Sequence, residues 1–196
     1  MSSVASLRLA QKQRTYELFL SEALKLFAAK GYVATTVDDI VTAVGTTRAT
    51  FYLHFSSKAV LIGALMTRAD QILTAEDDPT LTSAIESGSR SQIRAWLDRK
   101  MHQWDEVRPY LVASIQAVHE PVVAERTEAW FADIVDQMKT GLDRAGRHAP
   151  DRRRIRCVLA FGQVEFVVRR YYSVGWVVPR DIILDELTDS WCHLLA

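Results

Sequence analysis

Apolar residues recur at helical spacing through almost all of this 196-residue chain, and no stretch alternates them as a half-buried strand would. Tyr16, Phe19, Leu20, Ala23 and Phe27 form one face of a first helix, which Gly31 ends by tolerating positive φ. Thr36-Val37-Asp38-Asp39 reads as a capping box opening a second, short helix. Val37, Ile40, Val41 and Val44 make its buried face, and Gly45 stops it. Thr47 caps a third helix, in which Phe51 and Phe55, four apart, point into a small core. A fourth begins near Ser57 and runs through Leu61, Leu65 and Ile72 to the acidic turn Glu76-Asp77-Asp78-Pro79. Pro109, Pro121, Gly146 with Pro150, and Pro179 then punctuate helices expected at roughly 89–107, 109–118, 121–145, 151–174 and 180–195. The expected fold is all-α, about nine helices. A three-helix domain with a helix-turn-helix, residues 1–60, precedes a larger helical domain, residues 61–196.

Charge narrows the function classes. The formal net charge is zero, which argues against non-specific coating of nucleic acid. Yet residues 1–68 hold 8 basic and 4 acidic side chains, so a basic head precedes an acidic body. Cys157 and Cys192 form no CxxC pair, no secretory signal precedes the first helix, and no apolar run is long enough to span a bilayer. The expected setting is the cytoplasm, with no membrane partner. His119-Glu120 lacks the second histidine of a zinc motif, so no metal or cofactor is expected. No nucleophile elbow, phosphate loop or acid pair points to an enzyme.

A short helix, a turn at Gly45-Thr46-Thr47 and a second short helix have the layout of a helix-turn-helix. The surrounding residues sharpen it: Ala23-Leu24-Lys25-Leu26-Phe27, Gly31-Tyr32, Thr35 to Ile40, Gly45 to Phe55, and Ser57-Lys58. Over residues 15–65 the chain resembles the tetracycline-repressor (TetR) family of transcription regulators. The resemblance implies that Thr36 meets a phosphate at the start of the second helix, where free N–H groups attract anions. It implies that Thr47, Arg48, Ala49 and Thr50 open a recognition helix in the major groove. Tyr52 and His54 match phosphate or groove contacts, and Lys58 a further phosphate contact. Each position also has a structural reading. Thr36 and Thr47 are caps, Arg48 is a candidate solvated charge, and Tyr52 and His54 are candidates to pack the domain edge. The chain departs from the family at Thr46, Ala49 and Leu53, which obscures the bases read.

Beyond residue 65 only the helical layout carries the resemblance. Ile155, Val158, Leu159, Phe161, Val164, Phe166, Val167 and Val168 make a helix apolar on nearly all sides, expected to be buried between others. Leu184, Leu187, Trp191 and Leu194 form a packing seam. The resemblance implies a homodimer built by these last two helices, on a near-palindromic double-stranded DNA operator; the seam alone fits an intramolecular core as well. It also implies a body pocket, with helix 4 as the lever to the DNA domain. Aromatic residues from Trp96 to Trp176 point to a small apolar or aromatic ligand, with Trp104, Trp130, Phe131, Phe161, Glu165 and Phe166 as candidate lining. Glu165 is also placed to pair with Arg169, one turn on. The basic run Arg152-Arg153-Arg154 and Arg156 is expected to face solvent or acids. The expected function is a transcriptional repressor released from DNA by that ligand. The alternative is a DNA-binding scaffold whose body holds a protein partner.

Overall fold

A computed structural model describes residues 2–75, 77–175 and 178–196. Trp176, counted among the body aromatics, and Glu76 of the acidic turn lie outside the described residues. The elements are α1 (Ser2–Lys30), α2 (Val37–Val44), α3 (Arg48–Tyr52), α4 (Lys58–Thr74), α5 (Leu81–Ser87), α6 (Arg90–Gln116), α7 (Pro121–Ala145), α8 (Pro150–Val174) and α9 (Arg180–Leu195). Among the described residues there is no strand, as the absence of alternation predicts.

Residues 1–70 and 109–126 form one compact unit; residues 71–108 and 127–196 form another. In the first, Phe19, Leu20, Ala23 and Phe27 of α1 are buried against Ile40 and Val41 of α2, Phe51 of α3, Phe55, and Leu61, Ile62 and Leu65 of α4. Ala113, Ala117 and Val123, at the end of α6 and the start of α7, complete this core. Its centre is aromatic. Phe19 meets Phe51 edge-on with ring centroids 5.4 Å apart, and Tyr16 stacks on Phe55 at 5.0 Å.

The second unit holds α5, α8 and α9 with the longer parts of α6 and α7. Trp191 of α9 is fully buried; it stacks on Trp96 at 5.6 Å, and its Nε1 donates to the Ala160 carbonyl at 2.9 Å. A buried tryptophan needs that acceptor, because an unpaired indole N–H is costly. Asp77 accepts from Trp96 Nε1 at 3.1 Å and pairs with Lys100 at 3.1 Å and Arg99 at 3.4 Å, so Lys100 is buried with its counter-charge beside it.

Three expectations need correction. Pro109 does not separate two helices: α6 runs through it. Its missing N–H costs one helical hydrogen bond, while Val107 and Ala113 on either side stay buried. A helix over 81–87 was not expected, yet α5 is there, with the Thr80 hydroxyl accepting from Ser83 N and left-handed Gly88 closing it. Finally, α8 is not apolar-buried on all sides within the chain. Cys157, Ala160, Phe161 and Val164 are buried, whereas Ile155 and Leu159 are each 53% exposed and Phe166 is 61% exposed. The seam Leu184, Leu187 and Trp191 is buried within its own chain.

Candidate nucleic-acid interface

The α2–turn–α3 motif is held by local chemistry at both helix starts. Thr36 N donates to Asp39 Oδ2 at 2.7 Å and Asp39 N donates to Thr36 Oγ1 at 3.2 Å, the reciprocal bonds of a capping box. Lys30 adds an ion pair to the same carboxylate at 2.6 Å. The hydrogen bond from Lys30, then those from Thr36, hold Asp39 well below the ordinary carboxylate range. Gly45 closes α2 at φ 73°, and its N–H reaches the last carbonyls of that helix. Most residues resist that left-handed conformation, so glycine sets the turn. Thr47 then caps α3: Thr50 N donates to Thr47 Oγ1 at 3.2 Å.

One face of α3 is sunk and the rest is outward. Phe51 is fully buried, while Thr47, Arg48, Ala49, Tyr52 and Leu53 are exposed and Thr50 is half-buried. Arg48 Nε pairs with Asp38 Oδ1 at 2.6 Å, but both side chains are largely exposed. Such a surface pair contributes only about 0–1 kcal/mol, so the guanidinium is readily exchanged to another acceptor. Tyr52 is 54% exposed, with its ring edge-on to Phe51. His54 is half-buried beside Tyr16 and Phe19; burial, then the charge of Lys12, lowers its pKa, so at neutral pH it is an uncharged imidazole.

Lys58 departs from its expected place. Its ammonium is not held out to solvent but donates to the carbonyls of Tyr32 and Thr35, each at 2.7 Å, and lies 4.0 Å from the centre of the Tyr32 ring. The turn between α1 and α2 takes these carbonyls out of any helix; the Tyr32 carbonyl accepts from Thr35 N at 3.3 Å, and the lysine donates to both. Tyr32 is itself a junction. Its hydroxyl donates to Glu120 Oε1 at 2.8 Å and its N–H donates to Gln116 Oε1 at 2.8 Å. Burial, then Glu120, raises the Tyr32 phenol above its ordinary value. Sequence reasoning missed Gln116 and Glu120, because no local pattern connects residues more than eighty positions apart.

Of the expected ligand residues, Trp130, Phe131 and Phe161 come together: Phe161 lies 5.3 Å from Trp130 and 5.5 Å from Phe131, centroid to centroid. Trp104 is buried on α6. Glu165 accepts from Arg169 Nη2 at 2.9 Å, the pairing its spacing predicts. Phe166 points away from the Phe161 cluster into solvent.

Residues 19–65 match the family model of bacterial regulatory proteins, tetR family. Over those residues the chain carries the DNA-binding region of that family. It is 29% identical over 188 residues to the HTH-type transcriptional regulator TcmR of Streptomyces glaucescens, covering 93% of this chain and 79% of TcmR. It is 41% identical over 64 residues to the uncharacterized HTH-type transcriptional regulator YvdT of Bacillus subtilis (strain 168), covering 33% of this chain and 31% of YvdT. The chain thus matches about a third of YvdT's length. The fold is similar to that of NalD, the secondary repressor of the MexAB-OprM multidrug efflux pump in Pseudomonas aeruginosa, with TM-score 0.68 and 18% identity over 95% of this chain and 98% of NalD. SmeT in complex with triclosan gives TM-score 0.67 and 21% identity, over 90% and 91% of the two chains. No described helix is long and apolar enough to cross a membrane.

Proposed function

We propose that the protein is a homodimeric transcriptional repressor that binds a near-palindromic operator through α2 and α3. The observation that carries this is the outward face of α3, with capped starts on both short helices and a buried Phe51 behind. Thr36 sits at a helix N-terminus, where backbone N–H groups and the helix dipole favour a phosphate. Thr47, Arg48, Ala49 and Thr50 are the residues for the major groove, with Tyr52 and His54 at its edge. The test is selection from a random double-stranded pool by the purified protein. Recovered sequences should share two inverted half-sites about one helical turn apart. If no sequence is enriched over input, the reading fails.

A small apolar or aromatic ligand in the body releases the operator in this reading. Its support is the cluster Trp130, Phe131 and Phe161, together with the triclosan bound to SmeT and the repressor role of NalD. A ligand shifts DNA affinity only by binding two conformations unequally. A coupling of about 1–3 kcal/mol changes operator affinity roughly 5- to 150-fold. Thermal-shift and tryptophan-fluorescence screening, followed by operator titration with each hit, checks it. Tight ligands that leave operator affinity unchanged would refute the coupling.

A further inference from the structure

α1 begins far ahead of the core it serves. Its first deeply buried residue is Phe19, yet the helix starts at Ser2, and residues 6–14 are all exposed. Nine consecutive exposed residues in a helix, with no core to cover, ask for another role. Its charge is one-sided: Arg8, Lys12 and Arg14 are basic, and no acidic residue precedes Glu17.

The register places part of that charge. Tyr16 and Phe19 lie on the α1 face that packs on the end of α3, at 6.2 and 5.6 Å from the His54 ring. Lys12 is one turn before Tyr16, and Arg8 one turn before Lys12, so both continue the same face. At about 1.5 Å per residue they stand roughly 10 and 16 Å ahead of Phe19 along the helix. A cation on that side of the helix accords with the part the Lys12 charge plays in lowering the His54 pKa, second to burial. Arg14 lies on the opposite face by the same periodicity. Leu7 and Leu9 are exposed but fall on different faces, so among the described residues 6–14 they form no apolar stripe that suits a membrane or a partner helix.

We propose that the Arg8–Lys12 face of α1 is a second phosphate-binding element, carrying the DNA footprint beyond the helix-turn-helix along the adjoining backbone. This rests on the reading that α3 enters the major groove. Phosphates are the fitting partner because two unpaired cations one turn apart, next to the edge of the recognition helix, match a polyanion that runs past that edge. Contacts of this kind add affinity without adding sequence preference.

The experiment compares the full-length protein with Arg8→Gln/Lys12→Gln, on the duplex recovered by selection and on a scrambled duplex of equal length. Affinity is read from 50 to 200 mM salt. The double variant should bind both duplexes more weakly by a similar factor. Its log–log salt slope should be shallower by about 1.8 per bound subunit, which is roughly a twelve-fold smaller loss of affinity across that range. Arg8→Lys/Lys12→Arg should keep the wild-type slope, and Arg14→Gln should change it little. Unchanged melting temperature guards against a folding effect, since all three positions are exposed. An unchanged slope in the double variant, with wild-type DNA binding intact, overturns this inference alone. So does an equal effect from Arg14→Gln, which would mean that only net charge matters. A variant that loses only sedimentation with phosphatidylglycerol vesicles overturns it in favour of a membrane. Failure of the wild-type protein to bind either duplex overturns the DNA reading itself, and this inference with it.

Discussion

Lys58 occupies the first position of α4, where the helix dipole disfavours a cation, yet its ammonium is folded inward. Two carbonyls and the Tyr32 ring offset that cost. Burial still lowers its pKa, partly countered by Glu120 and then Asp39. Lys58→Met keeps the stem but leaves the Thr35 carbonyl unpaired and the Tyr32 carbonyl with the Thr35 N–H alone, so it should destabilise the protein by about 1–3 kcal/mol. Denaturant unfolding measures that loss. The folded variant should keep the wild-type salt slope on DNA; a slope shallower by about one would return Lys58 to the phosphates. The two cysteines make a second residue-scale test. Burial, then Asp143, pushes the Cys157 thiol up to about 11, and burial raises half-buried Cys192 as well. At pH 8 only about one Cys157 in a thousand is thiolate, the reactive form. Iodoacetamide should therefore label Cys192 first and Cys157 only after unfolding. Peptide mass mapping would show it, and equal labelling of both in the native protein would contradict the burial argument.

Elements fixed by local chemistry were legible in the sequence, and those fixed by distant contacts were not. The capping box at Thr36, the cap at Thr47 and the left-handed Gly45 depend on residues three or four apart, so α2, α3 and their turn could be read directly. The outward face of α3 followed from the buried pair Phe51 and Phe55. The inward turn of Lys58 did not follow, because it depends on carbonyls more than twenty residues away. α5 was missed for a related reason. Its seven residues span about two turns, too short for periodicity to stand out, although Thr80 and Gly88 bracket it as caps. What holds α5 is a close approach to α7. A Cβ on Gly141 would meet the Thr82 carbonyl oxygen at 2.7 Å and Ile85 Cβ at 2.9 Å. The Thr82 hydroxyl also donates to the Gln137 carbonyl at 3.1 Å. Gly141→Ala should therefore cost about 1–3 kcal/mol by overpacking, despite alanine's better helix propensity. A thermal melt decides the sign: a stabilised Gly141→Ala protein would mean that α5 moves aside freely.

At the scale of the whole molecule, α8 leaves an apolar row exposed on the single chain. Ile155, Leu159, Gly162 and Phe166 fall at i, i+4, i+7 and i+11, one stripe opposite the buried face of Cys157, Ala160, Phe161 and Val164. A Cβ on Gly162 would meet nothing within 4 Å, so the middle of the stripe is open to close approach by another backbone. Soluble monomers rarely leave such a row bare. The sequence showed a helix apolar on nearly all sides, and the structure splits that into an inner face and an outer one. It also gives Leu184, Leu187 and Trp191 to the chain's own core, so the outer face of α8, not that seam, is the surface available for a two-fold partner. Under the proposed function that partner is a second copy of the chain. Wild-type protein should then sediment near twice 22.2 kDa at micromolar concentration. Leu159→Glu/Phe166→Glu places two carboxylates in the stripe of each subunit, where pairing would bury like charges. It should sediment as a monomer, keep its helical circular dichroism because both positions are exposed in the single chain, and lose the affinity that two half-sites provide together. A double variant that stays dimeric would move the interface off this face of α8, and a wild-type monomer that binds the selected duplex tightly would refute the two-fold reading altogether.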